Sequence, residues 1–194
     1  MKIARFETEH FFARYEFNTP YQLCNSDCET MSIEALLELA DVSITDFTKQ
    51  TLGYTESQGS PELRRNIANT YQSCSPANVV VLATPVEGIY LTARALLSPG
   101  DEVIVLSPAY DALINMFEHV VGAENVRKWN FHSNHDGWEL RIEELAQLLS
   151  LKTKMIVLNF PHNPTGYVPS PQMQQEIIDI AEQNNIWLFS DEMY

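Results

Sequence analysis

The chain has 194 residues, 45% of them apolar, enough to bury a core for one domain or a small domain with an appendage. Its 26 acidic and 12 basic residues give a formal charge of −14, which excludes the electrostatic footprint of a nucleic-acid binder or of a protein drawn to an anionic membrane. No apolar run reaches the roughly 18 residues of a membrane span and the start, MKIARFETEH, lacks the apolar segment of a secretory signal, so a soluble, cytoplasmic protein is expected.

Residues 1–50 are rich in aromatic and polar residues and show one helical pattern, Ser32 to Ala40; they read as an N-terminal arm or part of a second domain. Cys24, Cys28 and Cys74 are an odd set, which fits reduced thiols better than a disulfide framework, and the Cys24/Cys28 spacing without a second pair is a weak metal signal. Ser60 and Pro61 supply an N-cap and a first-turn proline for a helix to about Tyr71. Four apolar runs follow along the chain: Val79 to Leu82, Val103 to Leu106, Met155 to Leu158 and Ile186 to Phe189. None alternates with polar residues, so each is expected to be a strand buried on both faces, as in a parallel sheet. Between the first two lies a helix over 86–97, apolar almost all round, and the SPGD turn at 98–101. A further strand is expected near Val126 to Phe131, then an HDG turn at 135–137 and a helix from about Arg141 to Ser150. Ser170 and Pro171 open a last helix to about Asn184, with Met173, Ile177, Ile178 and Ala181 as its apolar stripe. Strands alternating with helices predict an α/β fold of three layers, α/β/α, around a mostly parallel sheet.

Ligands of open parallel sheets bind beyond the carboxyl ends of the strands. Directly after the four apolar runs come ATPVEG (83–88), SPAY (107–110), NFPHNPTG (159–166) and SDEMY (190–194). Each alone reads as an ordinary turn or helix cap, but together they put every chemically unusual stretch on one rim. A carboxylate, an amide, a phenol and an aromatic face suit a flat heteroaromatic ligand with a basic ring nitrogen and a ring hydroxyl.

These stretches resemble, in order, the motifs of the class I/II aminotransferases, fold-type I enzymes that use pyridoxal 5'-phosphate (PLP). YTESQGSPELRRNIA (54–68) is similar to the family's tyrosine-to-glycine segment and the helix after it; residues 79–110 resemble its phosphate-loop, helix, PGD-turn and strand block; PHNPTG carries its Asn-Pro-Thr-Gly signature and SDEMY its Asp-Glu-x-Tyr. The resemblance covers about residue 50 onward and implies a partial PLP-binding large domain over 51–194, with 1–50 as the arm and small-domain segment. It implies that Asp191 pairs with the pyridine nitrogen, that Asn163 and Tyr194 hydrogen-bond the ring 3-oxygen, and that Tyr110 stacks on the ring. Thr84 and the Val86 and Glu87 amides would hold the phosphate, and Tyr54 would reach the phosphate of a neighbouring subunit in a homodimer. Asp191 and Tyr194 are the residues of this set assigned to catalysis. The implied activity is transfer of amino groups between amino acids and 2-oxo acids.

Three departures stand out. The phosphate loop has Pro85, which carries no N–H, and Val86, which carries no hydroxyl. YQLCNSDCET replaces a glycine-containing segment and is closer to a branch resembling capreomycidine synthase, a cyclase. The family's Schiff-base lysine lies some tens of residues beyond Asp-Glu-x-Tyr, where this sequence stops at Tyr194; Lys2, Lys49, Lys128, Lys152 and Lys154 all fall outside that context. The expectation is therefore the N-terminal half of a longer enzyme, inactive as this chain alone. The alternatives are a PLP-dependent cyclase, lyase or decarboxylase, and a non-catalytic homologue acting as a binding partner. A nucleotide-binding α/β protein is opposed by the absence of any G-x-G-x-x-G or G-x-x-x-x-G-K-[ST] loop.

Overall fold

The computed structural model describes residues 3–24, 27–135 and 137–194. Asn25 and Ser26 between the paired cysteines, Asp136 of the HDG turn, and Lys2 lie outside the described residues. By its contacts the chain divides into two units: residues up to Phe17 together with Thr84–Tyr194, and Asn18–Ala83. The first helix, read above with the arm, thus belongs to the larger unit.

The larger unit is built on a four-stranded parallel sheet, β1 (Glu102–Ser107), β2 (Val126–Asn130), β5 (Thr153–Asn159) and β6 (Trp187–Asp191), in the order β2-β1-β5-β6. Two helices cover each face. Val103, Val105, Met155 and Val157 point to the side packed by α5 (Pro85–Leu96) and α6 (Ala112–Val121). Ile104, Leu106, Ile156, Leu158 and Trp129 point to the side packed by α7 (Ile142–Leu148) and α8 (Pro171–Asn184). The period-2 alternation of strand side chains therefore feeds two separate cores, the three-layer arrangement predicted. Both central strands are buried on both faces, Val103 to Leu106 and Met155 to Val157 each at 2% exposure or less. β6 is an edge strand, with Trp187 exposed, so the expectation that the Ile186 to Phe189 run is buried on both faces fails.

The helices begin where the sequence signals them. Thr84 and Ser170 cap α5 and α8 by accepting the Glu87 and Met173 N–H groups, each with a proline at the first helical position, where its missing N–H costs nothing. α8 ends at Asn185 in the left-handed region. Its buried residues are Ile177 and Ala181, flanked by Met173 and Ile180; Ile178, assigned above to the stripe, is turned out to solvent, about 100° round the helix from Ile177. Elements not anticipated include α1 (Glu7–Tyr15), the short helix Ile44–Thr48, and a small antiparallel hairpin of β3 (His132–Asn134) and β4 (Gly137–Glu139).

At the amino ends of the strands an ionic clamp closes the sheet. Glu102, 8% exposed, takes the Arg127 guanidinium through both oxygens at 2.9 Å and the Ser150 hydroxyl at 2.6 Å. The Ser150 hydroxyl bond, with Arg127 beside it, holds the Glu102 carboxyl below its usual range.

The smaller unit contains α2 (Ile33–Leu39), α3 (Ile44–Thr48) and α4 (Pro61–Ala68), capped by the Ser32, Ser43 and Ser60 hydroxyls. α4 stops at Ala68, short of the expected Tyr71, and Arg64 ties it to the following segment through a 2.9 Å bond to the Val79 carbonyl. Val79 to Leu82 corrects the first strand expected: it joins no ladder, its Val81 N–H instead bonds the Gln58 carbonyl at 2.9 Å, and Val80 is 57% exposed. The apolar run is real, but among the described residues no strand lies beside it to pair with. Cys24, Cys28 and Cys74 are free. Among the described residues no helix is long and apolar enough to cross a membrane.

Candidate functional site

Three of the four unusual stretches emerge side by side. SPAY ends β1 and follows it, NFPHNPTG ends β5 and follows it, and DEMY ends β6 and follows it, and these strands are neighbours in the sheet. The fourth, ATPVEG, follows no strand but opens α5. The short SPGD connection leads from the end of α5 into the start of β1, so the start of α5 faces the carboxyl rim one helix length away. Val86 there joins Tyr110 and Phe189 against the same apolar cluster.

The centre of the rim is a polar lock between β5 and β6. Asn159 and Asp191 are register partners, and Asn159, 2% exposed, donates its Nδ2 to the Asp191 carbonyl at 3.0 Å. Its Oδ1 accepts the Asn163 backbone N–H at 2.8 Å. One buried amide thus fixes both Asp191 and Asn163. The Asn163 side-chain amide is half-buried and has no hydrogen-bond partner among the described residues. The Asp191 carboxyl is pushed above its usual range, first by burial; the Met193 N–H draws it down and the neighbouring Glu192 raises it further. No cation appears among these influences.

His162, also 2% exposed, ties the β5 loop to the β1 loop. Its Nε2 lies 2.8 Å from the Pro108 carbonyl and its Nδ1 2.7 Å from Thr165 Oγ1, and its ring stacks on Phe131 at 4.1 Å. A carbonyl only accepts, so Nε2 carries the proton and Nδ1 accepts from the Thr165 hydroxyl, which in turn accepts the Tyr167 N–H at 3.2 Å. Both ring nitrogens are satisfied by the neutral form, and burial lowers the imidazole pKa accordingly.

Tyr110 is half-buried and close enough to Asp191 for that charge to raise its phenol pKa. The larger causes are burial and the bond that its hydroxyl donates to Glu9 Oε1 at 2.6 Å. Thr84 holds the Glu87 N–H through a 3.4 Å contact, long enough to yield to an anion at the start of α5. Tyr194 is half exposed; Tyr54 lies in the smaller unit with its side chain open to solvent. Lys152 and Lys154 flank the start of β5, the opposite end of that strand from Asn159.

Asn159 and His162 were not singled out in the sequence, because an asparagine ending a strand and a histidine among prolines look like turn formers. The residues that are present fit a pyridine ring with a protonated nitrogen: a half-buried carboxylate raised by burial, beside an amide whose donors and acceptor are uncommitted.

The fold and rim define an α/β protein with its polar groups converging beyond parallel strands. The sequence profile of the family "Aminotransferase class I and II" matches residues 21–194, and the chain belongs to that family. It is 35% identical over 146 residues to an aspartate aminotransferase of Sulfurisphaera tokodaii, a match covering 73% of this chain and 36% of that one. A PLP-dependent aminotransferase structure from Streptococcus suis superposes with a TM-score of 0.92 at 28% identity, over 100% of this chain and 52% of that one. The PLP-dependent cyclase OrfR superposes with a TM-score of 0.85 at 26% identity, over 98% of this chain and 49% of that one. The chain therefore spans about half the length of these solved structures and its match little more than a third of the aspartate aminotransferase.

Proposed function

We propose that this chain supplies the pyridine-facing portion of a PLP-dependent aminotransferase that moves amino groups between amino acids and 2-oxo acids. The observation that carries the reading is Asp191: a carboxyl raised by burial, held in register with Asn159 and flanked by the uncommitted amide of Asn163. When bound, PLP would supply an electron sink for the substrate's α-carbon. Asp191 would hold a proton on the ring nitrogen, its charge stabilised by that proton where burial alone disfavours it. Asn163 and Tyr194 would donate to the ring 3-oxygen, and Tyr110 would cover one face. The Val86 and Glu87 amides at the start of α5, with the Thr84 hydroxyl, would take the phosphate. In this reading residues 51–194 are part of the PLP-binding domain and 1–50 the arm and small-domain segment. Tyr54 serves the partner's site in a cytoplasmic homodimer, and the Schiff-base lysine comes from sequence beyond Tyr194.

The test is the full-length protein, dialysed and scanned for PLP absorbance, then offered amino acids with 2-oxo acid acceptors. Retained PLP, lost on Asp191→Ala, together with formation of a new amino acid from the acceptor, supports the reading. An unsubstituted protein that holds no PLP overturns it. The superposition on OrfR favours a second reading, a PLP-dependent cyclase. PLP retention with consumption of an amino acid, but no amino group delivered to any acceptor, would select that reading or its lyase and decarboxylase relatives. A protein without PLP would be left as a non-catalytic binding partner.

A further inference from the structure

α1 has no N-cap of its own. Its N-cap position is Phe6, which has no side-chain acceptor, yet the Thr8 N–H in its first turn is satisfied by Asp111 Oδ2 at 3.0 Å, 103 residues away in sequence. The next residue, Glu9, accepts the Tyr110 hydroxyl at 2.6 Å, and Asn115 Nδ2 donates to the Arg5 carbonyl at 3.2 Å. Phe6 packs against the core under α6. The pair Tyr110–Asp111 and helix α1 thus hold each other: Asp111 replaces the missing cap, and Glu9 fixes the far end of the Tyr110 ring. A tyrosine is free to pivot about two side-chain torsions unless its hydroxyl is anchored. Here, among the described residues, that anchor comes from α1.

We propose that Glu9 is a positioning residue for Tyr110, with α1 the element that carries it, so that docking of α1 and occupancy of the ring site are thermodynamically linked. The inference rests on the assignment of Tyr110 to the PLP face. Linkage is reciprocal: whatever stacks on the oriented ring stabilises docked α1, and loss of the Glu9 anchor weakens the stack. Glu9 touches neither substrate nor cofactor in this scheme. Its acceptor oxygen matters and its charge does not, because a phenol kept protonated by burial needs only an acceptor.

The experiment uses the full-length protein and PLP itself. PLP affinity is measured for the unsubstituted protein, Glu9→Ala, Glu9→Gln, Tyr110→Phe and the Glu9→Ala/Tyr110→Phe pair. In parallel, NMR of protein labelled at the tyrosine ζ-carbon, with Tyr110→Phe to assign the signal, reports the Glu9 contact without any cofactor. The expected result is a loss of roughly threefold to tenfold for Glu9→Ala, the worth of one hydrogen bond, with Glu9→Gln restoring most of it. In the Tyr110→Phe background, Glu9→Ala should cost nothing further. The Tyr110 ζ-carbon signal should shift in Glu9→Ala and return toward its original position in Glu9→Gln. An equal loss in both backgrounds would show that Glu9 acts only through the stability of α1, and would overturn the inference. An unmoved ζ-carbon signal would overturn it as well. If the unsubstituted protein binds no PLP while the ζ-carbon shift is seen, the cofactor assignment fails and takes this inference with it. PLP binding with additive losses refutes the inference alone.

Discussion

Replacing His162 with alanine should be among the most damaging single changes in the larger unit. The imidazole is 2% exposed and makes two hydrogen bonds, to the Pro108 carbonyl and the Thr165 hydroxyl, and one stacked contact with Phe131. At about 1 kcal/mol for each bond and about 0.5–1.5 kcal/mol for the ring pair, the loss comes to roughly 3 kcal/mol. That is a large share of the roughly 5–15 kcal/mol that holds a domain together. Urea unfolding followed by tryptophan fluorescence would measure it, since buried Trp129 lies two residues from Phe131. The same experiment has a pH signature. Burial lowers the folded-state pKa of His162, so between that value and about 6.5 the unfolded chain binds the proton that the folded chain refuses. Its contribution is therefore fully present above about pH 6.5 and declines as the pH falls toward the folded pKa. Going from about pH 8 to about pH 5 should cost the unsubstituted protein more stability than His162→Gln, which has no proton to take up. A loss for His162→Ala below about 1 kcal/mol, or an unchanged pH slope in His162→Gln, would refute the assignment of the neutral, doubly bonded imidazole.

Three further substitutions probe the rim and the smaller unit. Asp191→Asn should leave the apo-protein as stable as before or slightly more so, because it removes a carboxylate that burial disfavours, while PLP affinity measured by absorbance falls about tenfold or more. Loss of stability together with affinity would mark Asp191 as structural. Pro85→Ala adds an N–H at the first position of α5 and should tighten PLP several-fold, by roughly 0.5–1 kcal/mol, with little effect on pyridoxal, which lacks the phosphate. Equal effects on both ligands would put the phosphate elsewhere. Gly59→Ala should destabilise the smaller unit by about 1–3 kcal/mol in thermal unfolding, since Gly59 sits at φ +102° and a Cβ would meet Val81 Cγ2 at 2.6 Å. A neutral outcome would mean that the turn relaxes.

What the sequence disclosed about the fold depended on how local the signal was. β1, β5 and α8 were legible because their burial is written as continuous apolar runs or a serine-proline start within a dozen residues. Val79 to Leu82 has the same texture as β1, but being a strand requires a partner, and no pattern within the run says whether one is there. α1 was invisible for a similar reason: its cap belongs to Asp111, more than a hundred positions on. The site divides the same way. Asn163, Asp191 and Tyr110 were visible as unusual residues after strands, and the structure sets Asn163 and Asp191 around one buried amide. That amide, Asn159, and the histidine joining two loops gave no sign beforehand, since their importance lies entirely in what they touch.

The ionic clamp of Glu102, Arg127 and Ser150 grips the sheet at the end opposite the converging polar loops. Anchorage and the candidate site therefore occupy opposite ends of the same strands, joined by two apolar runs buried on both faces. Sequence libraries confined to residues 107–111, 160–168 and 190–194 could diversify the candidate site while the foundation stays untouched. Within them, His162 and Asp111 are the positions to hold fixed, because His162 ties two rim loops together and Asp111 caps α1.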